Sequence, residues 1–173
     1  MFLKPPPLRL ALGLIALASV AMLAFGLYLQ HVEGLNPCPM CIVQRYALIG
    51  VAVFAGLGSR LRRYGRMATL DAGMTALSCF GAFVAARQSW LQWYPPEIVT
   101  CGRDLYGMIE NFPLQRVIPL VFKGSGDCTK VDWTFLGGSI ANWSFVAFTT
   151  FTLMGCFILI KALRQRKFGS VRP

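Results

Sequence analysis

Charge is scarce in this sequence. Only 14% of its 173 residues are Asp, Glu, Lys or Arg, where a soluble domain carries about a quarter. Histidine is nearly absent, with His31 alone, so a histidine-rich metal centre is excluded. No internal repeat, low-complexity tract or second soluble domain is visible, and the length suits one domain. Apolar residues stand in place of the missing charge, at 55% of the chain. A bilayer is therefore the expected solvent.

Four stretches are apolar enough to cross a hydrocarbon core, which takes about 20 residues. They run from Leu10 to Leu29, Ile42 to Leu57, Met67 to Ala86 and Trp143 to Ile160. The second is short, so its ends must lie near the two interfaces. Lys4 and Arg9 precede the first stretch as they would in a signal peptide. Its apolar run is too long for that, and no small-residue cleavage site follows Tyr28. The expected fold is an all-α membrane protein, a bundle of four transmembrane helices in a single domain.

The basic residues are unevenly placed. Lys4 and Arg9 lie in the N-terminal tail, Arg60, Arg62, Arg63 and Arg66 between the second and third stretches, and Lys161, Arg164, Arg166, Lys167 and Arg172 near the C-terminus. These eleven face one acidic residue, Asp71, whereas the other side carries six basic and six acidic residues. The formal net charge of +10 thus belongs to one face. Loops rich in Lys and Arg stay cytoplasmic, which predicts both termini inside and leaves nucleic acid a poor partner. The outer segments are then a short loop over residues 30–41 and a long one over 87–142. Within the long one, Arg116 to Phe122 is too short to span and apolar enough to lie on the membrane surface. Trp90, Trp93, Tyr94, Trp133 and Trp143 read best as interfacial anchors.

The six cysteines divide by position. Cys38 and Cys41 form Cys-Pro-Met-Cys at the mouth of the second stretch. Cys101 and Cys128 lie in the long outer segment, and Cys79 and Cys156 fall inside the third and fourth stretches. No cysteine lies on the basic side. All four loop cysteines thus face the compartment where disulfides persist. Cys79 and Cys156 read as small buried hydrophobes. For Cys38 and Cys41 a structural disulfide would close a tiny loop for little entropy, and zinc needs four ligands. A redox pair fits better, because a helix N-terminus offers unpaired N–H groups and a positive dipole end to a thiolate. Arg45 lies one helical turn beyond Cys41, on the same face. It either snorkels or serves the site, where its planar fork can hold a thiolate and a carbonyl oxygen. Cys101 and Cys128 enclose 26 residues. A stabilising disulfide is one reading; a partner-changing cysteine after the flexible Gly124-Ser125-Gly126-Asp127 turn is the other.

These residues closely resemble the DsbB family of bacterial disulfide bond formation proteins. The likeness runs through Gln30-His31-Val32, Pro37-Cys38, Cys41-Ile42, Arg45 and Ala47-Leu48. It resumes at Leu91-Gln92, Tyr94-Pro95, Thr100-Cys101, Ser125 to Cys128, Trp133 and Phe135-Leu136-Gly137. The resemblance implies a bacterial inner-membrane protein whose cysteines face the periplasm. It implies a DsbA-type partner attacking Cys101, departure of Cys128 to Cys38, release of Cys41 as a thiolate, and a quinone, ubiquinone or menaquinone, held by Arg45. The periplasm's oxidising poise is known to run through this system. Some members carry histidine where Gln88 stands here. Gln88 can donate a hydrogen bond to a quinone carbonyl but cannot protonate it.

Three competing readings rank lower. Reverse flow, as a reductase, lacks a cytosolic relay thiol. A scaffold braced by inert disulfides would not exchange with a dithiol protein. The quinone-reducing VKOR-type enzymes carry their membrane-edge motif on a later span. The orientation is testable directly: cysteines introduced at Ser59 and Ser170 should react with an impermeant thiol reagent only after the cells are permeabilised. Labelling of intact cells at either position would reverse the assignment.

Overall fold

The computed structural model describes residues 8–35, 37–95, 131 and 133–169. Helix α1 spans Leu8–His31, α2 Pro39–Arg60 and α3 Tyr64–Trp93. A hairpin of β1 (Thr134–Phe135) and β2 (Gly138–Ser139) leads into α4, Ile140–Gly169. All four helices are long and apolar enough to cross a membrane.

The helices outrun the apolar stretches of the sequence. Gln30 and His31 belong to α1, Pro39–Cys41 to the first turn of α2, Arg87–Trp93 to the last two turns of α3 and Ile140–Asn142 to α4. Outer loops at 30–41 and 87–142 are therefore too wide at both ends. Hydropathy marks where lipid begins, but a helix continues as long as its backbone bonds are made. Local chemistry sets the true ends. Cys38, in an extended conformation at φ −69° and ψ 161°, caps α2, and Pro39 occupies the first turn, where its missing N–H costs nothing. Leu61 closes α2 by donating its N–H to the Gly58 carbonyl. Tyr94 closes α3 by donating to the Trp90 carbonyl at 2.9 Å.

The hairpin was not legible as strands. Leu136 and Gly137, at φ 50° and 78°, form its two-residue turn with both centres left-handed, the geometry that matches strand twist. Thr134 pairs with Ser139 and Phe135 with Gly138. Ser139 then caps α4 by accepting the Asn142 N–H at 3.4 Å, while its hydroxyl donates to Gln92 Oε1 at 2.6 Å. One serine thus fixes the start of α4 to the end of α3.

Helix α3 is the centre of the bundle, flanked by α2 and α4, and α1 lies on α2 and barely touches α4. Lipid supplies no hydrophobic drive between helices, so close packing of small residues has to hold them. At Gly81 a Cβ would stand 2.5 Å from the Phe148 ring, so only glycine lets α4 seat that phenyl. The core is built from Leu12, Ile15, Val51, Met74, Phe148 and Ile158. At the basic end Arg9 of α1 donates to the Ser59 carbonyl of α2 at 2.9 Å. Cys38 stands at the opposite end of α2, about 33 Å away for 22 residues at ~1.5 Å each.

Two placements differ from expectation. Cys79 and Cys156 lie in the spans but are exposed on the outer faces of α3 and α4, so lipid rather than protein surrounds them. Asp71, counted from sequence with the basic face, is wholly buried within α3. Neither of its oxygens, nor Thr75 Oγ1 or Ser78 Oγ at the following turns, has a hydrogen-bond partner among the described residues. An unpartnered buried polar group costs about 1–3 kcal/mol, more for a charge. Asp71→Val, close in bulk, should therefore raise stability by about that amount in thermal unfolding of the detergent-solubilised protein. A lower midpoint would show that Asp71 has a stabilising partner.

Candidate active site

The site begins with the cap of α2. Cys38 Sγ accepts the Cys41 N–H at 3.3 Å, and the two sulfurs stand 2.9 Å apart. A sulfur in the cap position meets the orphan N–H groups and the positive end of the helix dipole. Cys38 is buried and Cys41 half-buried. Between them Met40 is fully buried and packs with Val84 and Leu91 of α3, which holds the motif against the central helix.

That packing brings Gln88 of α3 onto the sulfurs. Its Nε2 lies 3.3 Å from Cys38 Sγ and 3.3 Å from Cys41 Sγ. Its Oε1 accepts from Gln44 Nε2 at 2.7 Å. Both glutamines are buried. Arg45, the next residue of α2, points to α1 instead. It donates to Gln30 Oε1 and, at 2.9 Å, to the Gly26 carbonyl. Two of the five guanidinium N–H groups are so used among the described residues, and three remain.

These groups line a cavity of about 710 Å³, within the usual range for small-molecule sites. Cys38, Cys41, Gln44, Arg45, Leu48 and Gln88 form its inner wall, Met22, Phe25, Gly26 and Leu29 the α1 side, and Ile140, Trp143, Ser144 and Phe148 the α4 side. The gap where α1 and α4 barely meet gives it a lateral face. Trp133 and Phe135 also line it, with Phe25 edge-on to Trp133 at 5.7 Å and Trp133 stacked on Phe135 at 6.1 Å. Trp143 Nε1 donates to the Phe135 carbonyl at 2.9 Å. Trp133 and Trp143 thus also line a cavity wall, a role beyond their reading as interfacial anchors, and Trp143 keeps an exposed face. Trp90, Trp93 and Tyr94 are exposed, as anchors would be. Among the described residues Arg45 is the single charged side chain on the wall.

Cys38, Cys41, Arg45 and Gln88, singled out from the sequence, are brought together. Cys101, Cys128 and the stretch from Arg116 to Phe122 lie outside the described residues. Sequence reasoning missed Gln44, Gln30 and the aromatic hairpin. Gln44 carried a signal, since it follows Cys41 by three residues and so shares its helix face. Gln30 and the hairpin owe their places to tertiary contacts that no local pattern announces.

Comparison with known proteins shows the family. The model of the family described as disulfide bond formation protein DsbB matches residues 8–158. The chain belongs to the DsbB family. It is 66% identical over 161 residues to disulfide bond formation protein B of Paracidovorax citrulli (strain AAC00-1), covering 93% of this chain and 92% of that protein. The protein of the same name from Acidovorax sp. (strain JS42) is 67% identical over 156 residues, 90% of each chain. That of Polaromonas sp. (strain JS666 / ATCC BAA-500) is 63% identical over 158 residues, covering 91% of this chain and 94% of the relative. As a DsbB-family member with four candidate spans, the chain is a membrane protein of disulfide bond formation, which implies thiol oxidation.

Proposed function

We propose that this DsbB-family chain reoxidises a periplasmic DsbA-type thiol oxidase and delivers the electrons to a membrane quinone. The observation that carries the reading is the placement of Cys38 and Cys41 in the wall of an apolar cavity, beside Arg45 and Gln88. The residues present fit a quinone. An apolar ring needs an apolar slot, its carbonyl oxygens need donors, and an isoprenoid tail needs a way into lipid. The aromatic wall, the remaining Arg45 N–H groups and the weak α1–α4 contact answer these needs in turn. A bound quinone supplies an acceptor for two electrons and two protons.

The chain's own residues do the rest. A thiolate of the reduced partner attacks Cys101 Sγ, the Cys101–Cys128 bond breaks, and Cys128 leaves as a thiolate. Cys128 attacks Cys38, which frees Cys41 as the leaving thiolate. The partner's second thiolate resolves the mixed disulfide at Cys101 and leaves with its own disulfide. The freed Cys101 thiolate then attacks Cys128 and releases Cys38, which restores the Cys101–Cys128 bond. Overall the partner loses two electrons and two protons, and the Cys38–Cys41 pair gains them. The α2 N-terminus and the Gln88 amide steady the negative sulfur, and Arg45 orients the acceptor's oxygen. Cys38 and Cys41, as thiols, carry the two protons that accompany the electrons. The basic end of the bundle, opposite Cys38, supports termini inside and cysteines outside.

Arg45 separates the two jobs. Arg45→Lys keeps the charge and loses the fork, so the apparent KM for quinone should rise, with a smaller change in KM for the dithiol partner. Arg45→Gln should in addition slow turnover at saturating quinone. Hydrogen bonds to charged groups are worth about 1.5–3 kcal/mol, so roughly tenfold to a hundredfold is expected. Wild-type quinone kinetics in both variants would remove Arg45 from the site.

A further inference from the structure

We infer that Gln44 is a positioning residue, which fixes the Gln88 carboxamide in the one orientation that presents N–H groups to both active sulfurs. This deepens the proposed function and rests on its assignment of Cys38 and Cys41 as the reacting pair. A carboxamide has two faces, one donating and one accepting. Left alone in front of thiols, Gln88 can turn its oxygen toward an S–H or its nitrogen toward a thiolate. Gln44 settles the choice. Its Nε2 donates to Gln88 Oε1 at 2.7 Å, the shorter of two contacts to that oxygen; the other, from Cys41 Sγ, is 3.8 Å. The Gln88 nitrogen then lies 3.3 Å from each sulfur. With Gln88 alone turned over, two N–H2 groups would face each other in a buried site and an oxygen would face the sulfurs, so the two carboxamides are set as a pair. Both glutamines are buried, so water is poorly placed to take over either role.

The arrangement favours the reduced pair, since N–H donors stabilise a thiolate and give a disulfide little. A pair whose reduced form is stabilised is the stronger oxidant. The donor is neutral, and Arg45, the one charged side chain on the cavity wall among the described residues, bonds to Gln30 and Gly26 of α1.

The test is the thiol–disulfide equilibrium of Cys38 and Cys41 with glutathione, in the full chain carrying Cys101→Ser and Cys128→Ser so that one loop pair titrates. Gln88→Met should shift the equilibrium toward the disulfide by roughly three- to tenfold, or about 15–30 mV for a two-electron couple. Gln44→Met should shift it in the same direction. The double variant should go no further than Gln88→Met, because Gln44 acts through Gln88. A wild-type equilibrium in Gln44→Met would overturn the inference, and so would singles whose effects simply add in the double. No quinone and no partner protein enter this measurement. A wild-type chain that fails to reduce quinone would therefore sink the proposed function and leave this result standing.

Discussion

In hydrocarbon a polar group has to find its partner within the protein, and this requirement shapes the cysteine end of the bundle. Gln30, Gln44, Arg45, Gln88, Gln92 and Ser139 come from α1, α2, α3 and the hairpin, and they bond to one another or to backbone there. The links run α1 to α2 through Arg45, α2 to α3 through the glutamine pair, and α3 to α4 through Ser139. Each is a hydrogen bond in a place where water competes poorly. The reactive sulfurs are held inside that chain of contacts by the Cys38 cap and by Gln88.

No polar link closes the ring between α1 and α4 among the described residues, and the cavity lies along that gap. A four-helix bundle with tight contacts on every side would shield the sulfurs from lipid-borne molecules. Here α2 and α3 carry Cys38, Cys41, Arg45 and Gln88, and α1 and α4 form the lateral wall. Phe148, seated on Gly81, sets the depth of the cavity from the α4 side. The aromatic hairpin covers it from the outer end. Asp71 shows the same requirement unmet in the other half of the bundle, where an oxygen pair is buried without partners among the described residues.

Much of this was legible in the sequence, and the physical reasons are separable. Span number and placement follow from apolar length, so four helices were expected and found. Their ends were not, because Gln30, Arg87 and Gln88 are polar residues in helical turns that a search for apolar runs leaves out. The Cys-Pro-Met-Cys motif announces a helix N-terminus through its proline, and Cys38 is that cap. Arg45 could be placed near Cys41 by helical spacing, yet its bonds to Gln30 and Gly26 depend on how α1 lies against α2. That Trp133 and Trp143 also line the cavity was not legible, because an aromatic at the membrane edge looks the same in sequence whether it faces lipid, a cavity or both. Cys79 and Cys156 illustrate the converse, since an apolar span does not say which face points outward.

The central claim is that electrons taken from a dithiol protein leave through Cys41 to a quinone. It is tested most directly by following both ends at once, with purified protein, a reduced DsbA-type partner and a soluble quinone, without oxygen. The account predicts one quinol for each partner disulfide formed, because both half-reactions move two electrons, and no quinol with Cys41→Ser. Partner oxidation without quinol, or quinol formation that persists in Cys41→Ser, would contradict it.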